Sequence, residues 1–318
     1  MKKKLSHRFV AFSYRDFRLL WVGQLISIVG SQMQTVAIGW HIYTLTHSPI
    51  ALGLIGLTGT IPLVVISLLA GSFADRYDRK KVIYITQIFL LILTFILALS
   101  AQVNFAVLPA IYLVVALGSI GNAFYTPAMA AYIPRTVREE HYPNAISLNF
   151  SMRQASYVAG SALAGFVIAY FGVVSVYFIN AISYFSLIIL MHYIKAKGKV
   201  DVQAVSQKHL SAIHEGFAFI RSRTIIWSTI LLDFVSTFFS SATSLLPLFA
   251  KDVLHVGPQE LGFLYAAPAI GAVTCGAVMS YLGKFKNEGK VLLSAVAFYG
   301  VATIMFGMSR LYFISFIA

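Results

Sequence analysis

Apolar runs, each about as long as the ~20 residues that carry a helix across a bilayer core, alternate with short charged blocks along the whole chain. They predict helices over residues 17–44, 49–73, 82–101, 105–131, 144–170, 173–194, 225–250, 258–282 and 290–308, with a further one starting near Leu311. A soluble core cannot absorb about nine such runs, so the pattern predicts an all-α polytopic membrane protein. The first run, from Phe17 to about Thr44, is far longer than the ~7–15 residues of a signal-peptide core and is expected to be retained.

Polar residues inside these runs are spaced as on a helix face. Gln24, Ser27, Ser31, Gln34 and Thr35 fall on one side of the first helix, which therefore faces something other than lipid. At an offset of 209 residues the seventh helix carries Asp233, Ser236, Ser240, Thr243 and Ser244, and the fourth adds Ser119, Asn122, Tyr125 and Thr126. These stripes predict a water-accessible central cavity, with Gln24, Ser27, Ser31, Asn122, Tyr125, Ser236 and Ser240 as its substrate-facing candidates. The alternative is that the same groups only hydrogen-bond between helices, at ~0.6 kcal/mol each.

The offset of 209 is part of a wider repeat: Ser48-Pro-Ile-Ala-Leu-Gly53 recurs as Gly257-Pro-Gln-Glu-Leu-Gly262, and Val82 as Val291. It divides the chain into a six-helix bundle (1–194), a cytoplasmic connection (195–224) and a partial second bundle of three helices (225–318). The counterparts of helices four to six would lie beyond Ala318, so the repeat predicts a chain truncated after its ninth helix. Within the connection, the amphipathic stretch 209–220 is expected on the membrane surface.

Only 11% of residues are charged and 58% are apolar, against about 25% charged in soluble domains. The net charge of +13 does not imply nucleic acid, because the basic residues sit in short blocks without interleaved aromatics. All but Arg153, Lys251 and Arg310 of the 24 Lys and Arg fall on one side of the predicted helices. The positive-inside rule then places the N-terminus in the cytoplasm of a multi-pass protein of the cell inner membrane. Arg153 and Asp233 each lie ~12–14 Å into an apolar helix, where charge is expensive. Both are coupling candidates; for Asp233 a titrating or cation-binding role and a purely structural one stay open. Gly160, Gly165 and Gly271 belong to small residues recurring every four positions, which suits close helix packing.

Enzyme signatures are absent: no catalytic constellation, no metal-ligand spacing among the histidines, no phosphate loop, and hence no expected cofactor. The Glu139-Glu140-His141 run reads as solvated, and the single cysteine, Cys275, as packing.

The order of charges after the second helix, Gly71-Ser-Phe-Ala-Asp75-Arg76-Tyr-Asp78-Arg79-Lys80-Lys81, resembles the cytoplasmic signature of the major facilitator superfamily. Phe17-Arg-Leu-Leu-Trp-Val-Gly-Gln24, Ala123-Phe-Tyr-Thr-Pro127, Pro143-Asn-Ala-Ile-Ser-Leu148 and Lys251-Asp-Val-Leu-His-Val-Gly257 look like its enterobactin-exporter-like branch. The resemblance implies the superfamily's fold of two six-helix halves. It also implies that Asp75 and Arg76, with Arg79 and Lys80, form a cytoplasmic gate network and that Gly71 permits close helix approach. Asp78 stands where the signature has Gly. Gly160-Ser-Ala-Leu-Ala-Gly165 looks like the antiporter motif, with Ser161 in place of Pro and Ala164 in place of Gly, and the fourth helix lacks the Arg of several drug-proton antiporters.

The function so implied is secondary active export of a small amphipathic compound, siderophore- or drug-like, by alternating access, with proton coupling implied by the resemblance alone. The expected partners are the lipid bilayer, the small-molecule substrate and protons. A non-transporting polytopic sensor or assembly protein, and an inactive truncated transporter, are the alternatives.

Overall fold

The computed structural model describes residues 9–198, 220–240, 243–282 and 287–318. Every long element among them is a helix: α1 (Arg15–Thr46), α2 (Pro49–Arg76), α3 (Arg79–Gln102), α4 (Val107–Tyr132), α5 (142–171) and α6 (173–193). These are followed by α7 (Thr224–Ser240), α8 (Pro258–Leu282), α9 (Glu288–Met308) and a short α10 (Tyr312–Ile317). The chain is a multi-pass membrane protein: among the described residues six runs are long and apolar enough to cross a bilayer, and the longest of them, Glu139–Tyr193, contains both α5 and α6.

Local chemistry sets the boundaries. The α1 helix stops where His47 turns left-handed (φ 48°) and its amide caps the Tyr43 carbonyl; Pro49, which has no amide hydrogen to leave unpaired, opens α2. Asp78 starts α3 by accepting hydrogen bonds from the Lys80 and Lys81 amides at 2.9 and 3.3 Å. Its carboxylate thus explains the departure from the glycine of the superfamily signature. Between α5 and α6 the break is Gly172, at φ 78° and ψ 169°, a conformation that residues with a Cβ avoid.

The seventh element corrects the expected helix over 225–250. Helix α7 is described to Ser240, and from Thr243 onward the backbone forms a 3-10 turn (Thr243–Leu245), a short turn (Leu246–Leu248) and a π turn (Phe249–Val253). Pro247 accounts for the irregularity, because it removes one amide donor and its ring crowds the carbonyl of Thr243 four residues back. The amphipathic stretch expected over 209–220 lies almost wholly outside the described residues.

Helix α1 is the axis of the first six helices and packs chiefly on α5 and α6. Its contacts are close because glycines face neighbours directly. A Cβ on Gly30 would meet Ser183 Oγ at 2.2 Å, and one on Gly160 of α5 would meet the Val29 carbonyl oxygen at 2.6 Å. Apolar side chains form two clusters at opposite ends. The cluster at the N-terminal end includes Phe17, Leu20, Ile83, Tyr132 and Leu187, and all its buried members belong to residues 11–194. The far-end cluster includes Val36, Ile42, Leu97, Ile111 and Tyr177, and it continues into Leu246, Leu261 and Leu264.

Among the described residues the first six helices and the later ones therefore meet at the far end and separate toward the N-terminal end. Gly165 and Gly262 mark the meeting: added Cβ atoms would lie 2.5 Å from the Pro258 carbonyl oxygen and 2.6 Å from that of Ser161. Phe166 stacks edge-on against Phe263 nearby, with ring centres 5.9 Å apart. Along α8 the described residues from Ile270 to Met279 are exposed. Gly271, expected at a packing contact, has nothing within 4 Å of its would-be Cβ.

Candidate substrate cavity

Between the two apolar clusters lies a polar layer, and within it an open cavity of about 370 Å³. The first-helix stripe supplies Ser27, Ser31, Gln34 and Thr35, and α4 supplies Ser119, Asn122, Tyr125 and Thr126. Asn122 and Thr126 are exposed despite lying in the middle of an apolar helix, because they face this space rather than lipid.

The wall is held by hydrogen bonds between helices. Ser27 Oγ donates to Gln87 Oε1 on α3 at 3.2 Å, Asn180 Nδ2 on α6 donates to Gln34 Oε1 at 2.6 Å, and Ser31 Oγ pairs with Tyr184 Oη at 3.2 Å. Gln24 is placed differently from its neighbours on the stripe. It is fully buried, off the cavity surface, and bridges Asn149 of α5 to Tyr125 of α4, accepting from Asn149 Nδ2 at 2.6 Å and donating to Tyr125 Oη at 3.3 Å. A buried amide satisfied on both sides fixes three helices relative to one another, and removing it strands two partners.

Arg153 reaches the cavity from α5, its Nη2 donating to Tyr157 Oη at 3.0 Å. Asp233, expected at similar depth, is exposed on α7, and no ion pair joins it to Arg153 among the described residues. Ser236 is half-buried and returns its hydroxyl to the Leu232 carbonyl at 2.6 Å; Ser240 is the last residue of α7. The structure thus brings Ser27, Ser31, Asn122, Tyr125 and Arg153 together around one space and leaves Asp233 and Ser236 apart from it.

Several lining residues were missed by the stripes, namely Gln87 and Thr94 on α3, Tyr157 on α5, and Asn180 and Tyr184 on α6. A signal existed in their spacing. Gln87 and Thr94 are seven apart, and Asn180 and Tyr184 four apart, each pair on one face of an otherwise apolar run.

At the far end α1 meets the turns after α7, where the Tyr43 hydroxyl donates to the Asp252 carboxylate. At the N-terminal end the chain leaving α6 is laced to its neighbours. Asp16 accepts from the amides of Lys195 and Ala196 at 3.1 and 2.8 Å, Tyr132 Oη donates to the Ala196 carbonyl at 2.8 Å, and Lys80 Nζ donates to the Ile194 carbonyl at 2.6 Å. The Arg79 amide donates to Gly198, whose would-be Cβ would lie 2.1 Å from Asp78 Oδ1, so only glycine fits there. Of the gate-motif candidates, Gly71, Asp75 and Arg76 occupy the last turns of α2, while Arg79 and Lys80 open α3 and hold the exit of α6.

A family model described as "Transmembrane secretion effector" matches residues 6–318. Macrolide efflux protein A of Streptococcus pyogenes is 22% identical over 92% of this chain and 73% of its own length. The staphyloferrin A transporter of Staphylococcus aureus is 24% identical over 96% and 73%, and the enterobactin exporter of Shigella boydii serotype 18 is 28% identical over 92% and 70%. Among solved structures, a bacterial homolog of the human lysosomal transporter Spinster, in an inward-facing and unoccupied conformation, aligns with a TM-score of 0.69 at 17% identity, covering 98% of this chain and 71% of the other. With the helix order, the central cavity and a family match spanning nearly its whole length, the chain belongs to the transmembrane secretion effector family of major facilitator superfamily transporters.

Proposed function

We propose that the protein is a secondary active exporter that moves a small amphipathic compound, siderophore-like or drug-like, outward by alternating access around the cavity of α1 and α3–α6, coupled to protons. The observation that carries this reading is the polar layer itself. Amides, hydroxyls and one guanidinium face an open space of about 370 Å³ between apolar ends, and unwetted or unoccupied groups of this kind are costly at membrane depth. The efflux and siderophore-transport activities named for the relatives support a small organic cargo.

Contact at the far end and separation at the N-terminal end fit one of the two access states of such a carrier. With the N-terminus in the cytoplasm, as the basic loops suggest, that state is open inward. In the opposite state Asp75 and Arg76 would act with Arg79 and Lys80 as the cytoplasmic gate, and residues 1–194 and 225–318 would rock as two units about the Gly165–Gly262 contact. Asp233 is the candidate for proton coupling.

The test is a thermal-shift panel of macrolides, siderophores and lipid-like compounds on the purified full chain. At least one compound should raise Tm, and Asn122→Ala should remove the shift; hits indifferent to it would overturn the cavity assignment. An Asp233→Asn variant that transports with unchanged pH dependence would remove proton coupling from the proposal.

A further inference from the structure

The cavity has a sign. Among the described residues Arg153 is the only Lys, Arg, His, Asp or Glu on its lining. It hydrogen-bonds Tyr157 at 3.0 Å, its guanidinium carbon 6.0 Å from the ring centre, and it also acts electrostatically on the Tyr125 hydroxyl. A neutral hydroxyl and a ring face orient the guanidinium without neutralising it. Asp16, Asp78, Glu139 and Glu140 stand at the N-terminal end and off this lining, Glu139 exposed. Asp16 takes the Lys195 and Ala196 amides, Asp78 caps α3, and Glu140 lies 3.8 Å from Arg138 and 3.6 Å from His141. Asp233, on α7, stands exposed and outside this lining.

A half-buried guanidinium at membrane depth carries a cost that an anionic ligand would offset. Its planar fork suits the two oxygens of a carboxylate or phosphate, and charge-assisted bonds are about twice as strong as neutral ones. The amides of Asn122 and Gln34 and the hydroxyls of Ser31 and Tyr184 add donors and acceptors for an oxygen-rich body. A cationic ligand would meet a like charge with no carboxylate among the described residues of this wall to compensate.

We propose that the cavity selects small oxyanions over cations and that the Arg153 guanidinium is their receptor, a proposal that rests on the cavity being the transport site. The test uses the purified full chain in detergent, with four probes followed by thermal shift and equilibrium dialysis. Citrate and inorganic phosphate are the oxyanions, triethyl citrate is the uncharged version of the first, and tetraphenylphosphonium is a cation. Citrate should bind at least about tenfold more tightly than triethyl citrate and than tetraphenylphosphonium. Arg153→Gln should remove that preference, while Arg153→Lys, which keeps the charge but loses the fork, should retain a part of it. The citrate-to-phosphate ratio distinguishes a carboxylate site from a general phosphate site, and either supports the proposal.

Preference for tetraphenylphosphonium, equal binding of citrate and its ester, no oxyanion binding, or citrate binding that Arg153→Gln leaves unchanged would each overturn it. Unliganded Tm values and monodisperse elution of both variants separate a binding defect from a folding one. If tetraphenylphosphonium binds and Asn122→Ala abolishes that binding, the cavity survives as a transport site and only its selectivity for anions falls.

Discussion

Helices α1 and α7 carry polar residues matching at an offset of 209, yet among the described residues only those of α1 line the cavity of about 370 Å³. Thr243 and Ser244, beyond α7, border a second space beside Thr35. On α1, Gln24 and Ser27 are buried and bonded to groups on α3, α4 and α5, whereas on α7 Asp233 is exposed and Ser236 bonds back to its own helix. Spacing alone decides which side of a helix is polar. Whether that side becomes a rigid site depends on the polar groups its neighbours present, here Gln87, Tyr125, Asn149, Asn180 and Tyr184. The small residues behave likewise: Gly160 and Gly165 touch backbone across an interface, and Gly271, with the same spacing, faces open space.

The largest test of this contrast is steric. Gly160→Leu should abolish folded yield, because its Cβ already collides with the Val29 carbonyl, while Gly271→Leu should change stability by less than ~0.5 kcal/mol. Size-exclusion recovery after solubilisation reads both, and equal losses would erase the distinction. Next, Gln24→Leu should cost ~1–3 kcal/mol by leaving Asn149 and Tyr125 without their shared partner, measured as a fall in unliganded Tm. A smaller loss, ~1 kcal/mol, is expected for Asp78→Ala, which removes the α3 cap, and only a few tenths for Asp78→Gly. The smallest effect belongs to Ser236→Ala, under ~0.5 kcal/mol, since its hydroxyl serves only its own helix. A Ser236→Ala loss as large as that of Gln24→Leu would mean that α7 is built into a network like that of α1.

Much of the helix order was legible in advance because a bilayer forces it: lipid-facing backbone must be helical and its side chains apolar, so charged blocks mark the turns. The seventh helix misled because Pro247 sits in an unbroken apolar stretch, where its effect on the backbone leaves no trace in hydropathy. In the cavity, Ser27, Ser31, Asn122 and Tyr125 were visible as stripes. Gln87 and Asn180 carried a weaker signal, each with one partner on its face, Thr94 and Tyr184, and such a pair looks the same whether it lines a cavity or ties two helices together. Asp78 illustrates the converse: it reads as a departure from a signature until the Lys80 and Lys81 amides show it to be a helix cap. The depths of Arg153 and Asp233 follow from counting residues, but their separation depends on how the helices pack.

The central claim is that the polar face of α1 and α4 borders water in the middle of the membrane, and thiol accessibility tests it most directly. In a Cys275→Ser background, Ser119→Cys on the cavity wall and Ile182→Cys on the outward face of α6 would be exposed, in membrane vesicles of each orientation, to a charged, membrane-impermeant methanethiosulfonate. Rapid labelling of Ser119→Cys from the side bearing the N-terminus, with Ile182→Cys unreactive from both sides, is the predicted result. Equal protection of the two positions would contradict the cavity.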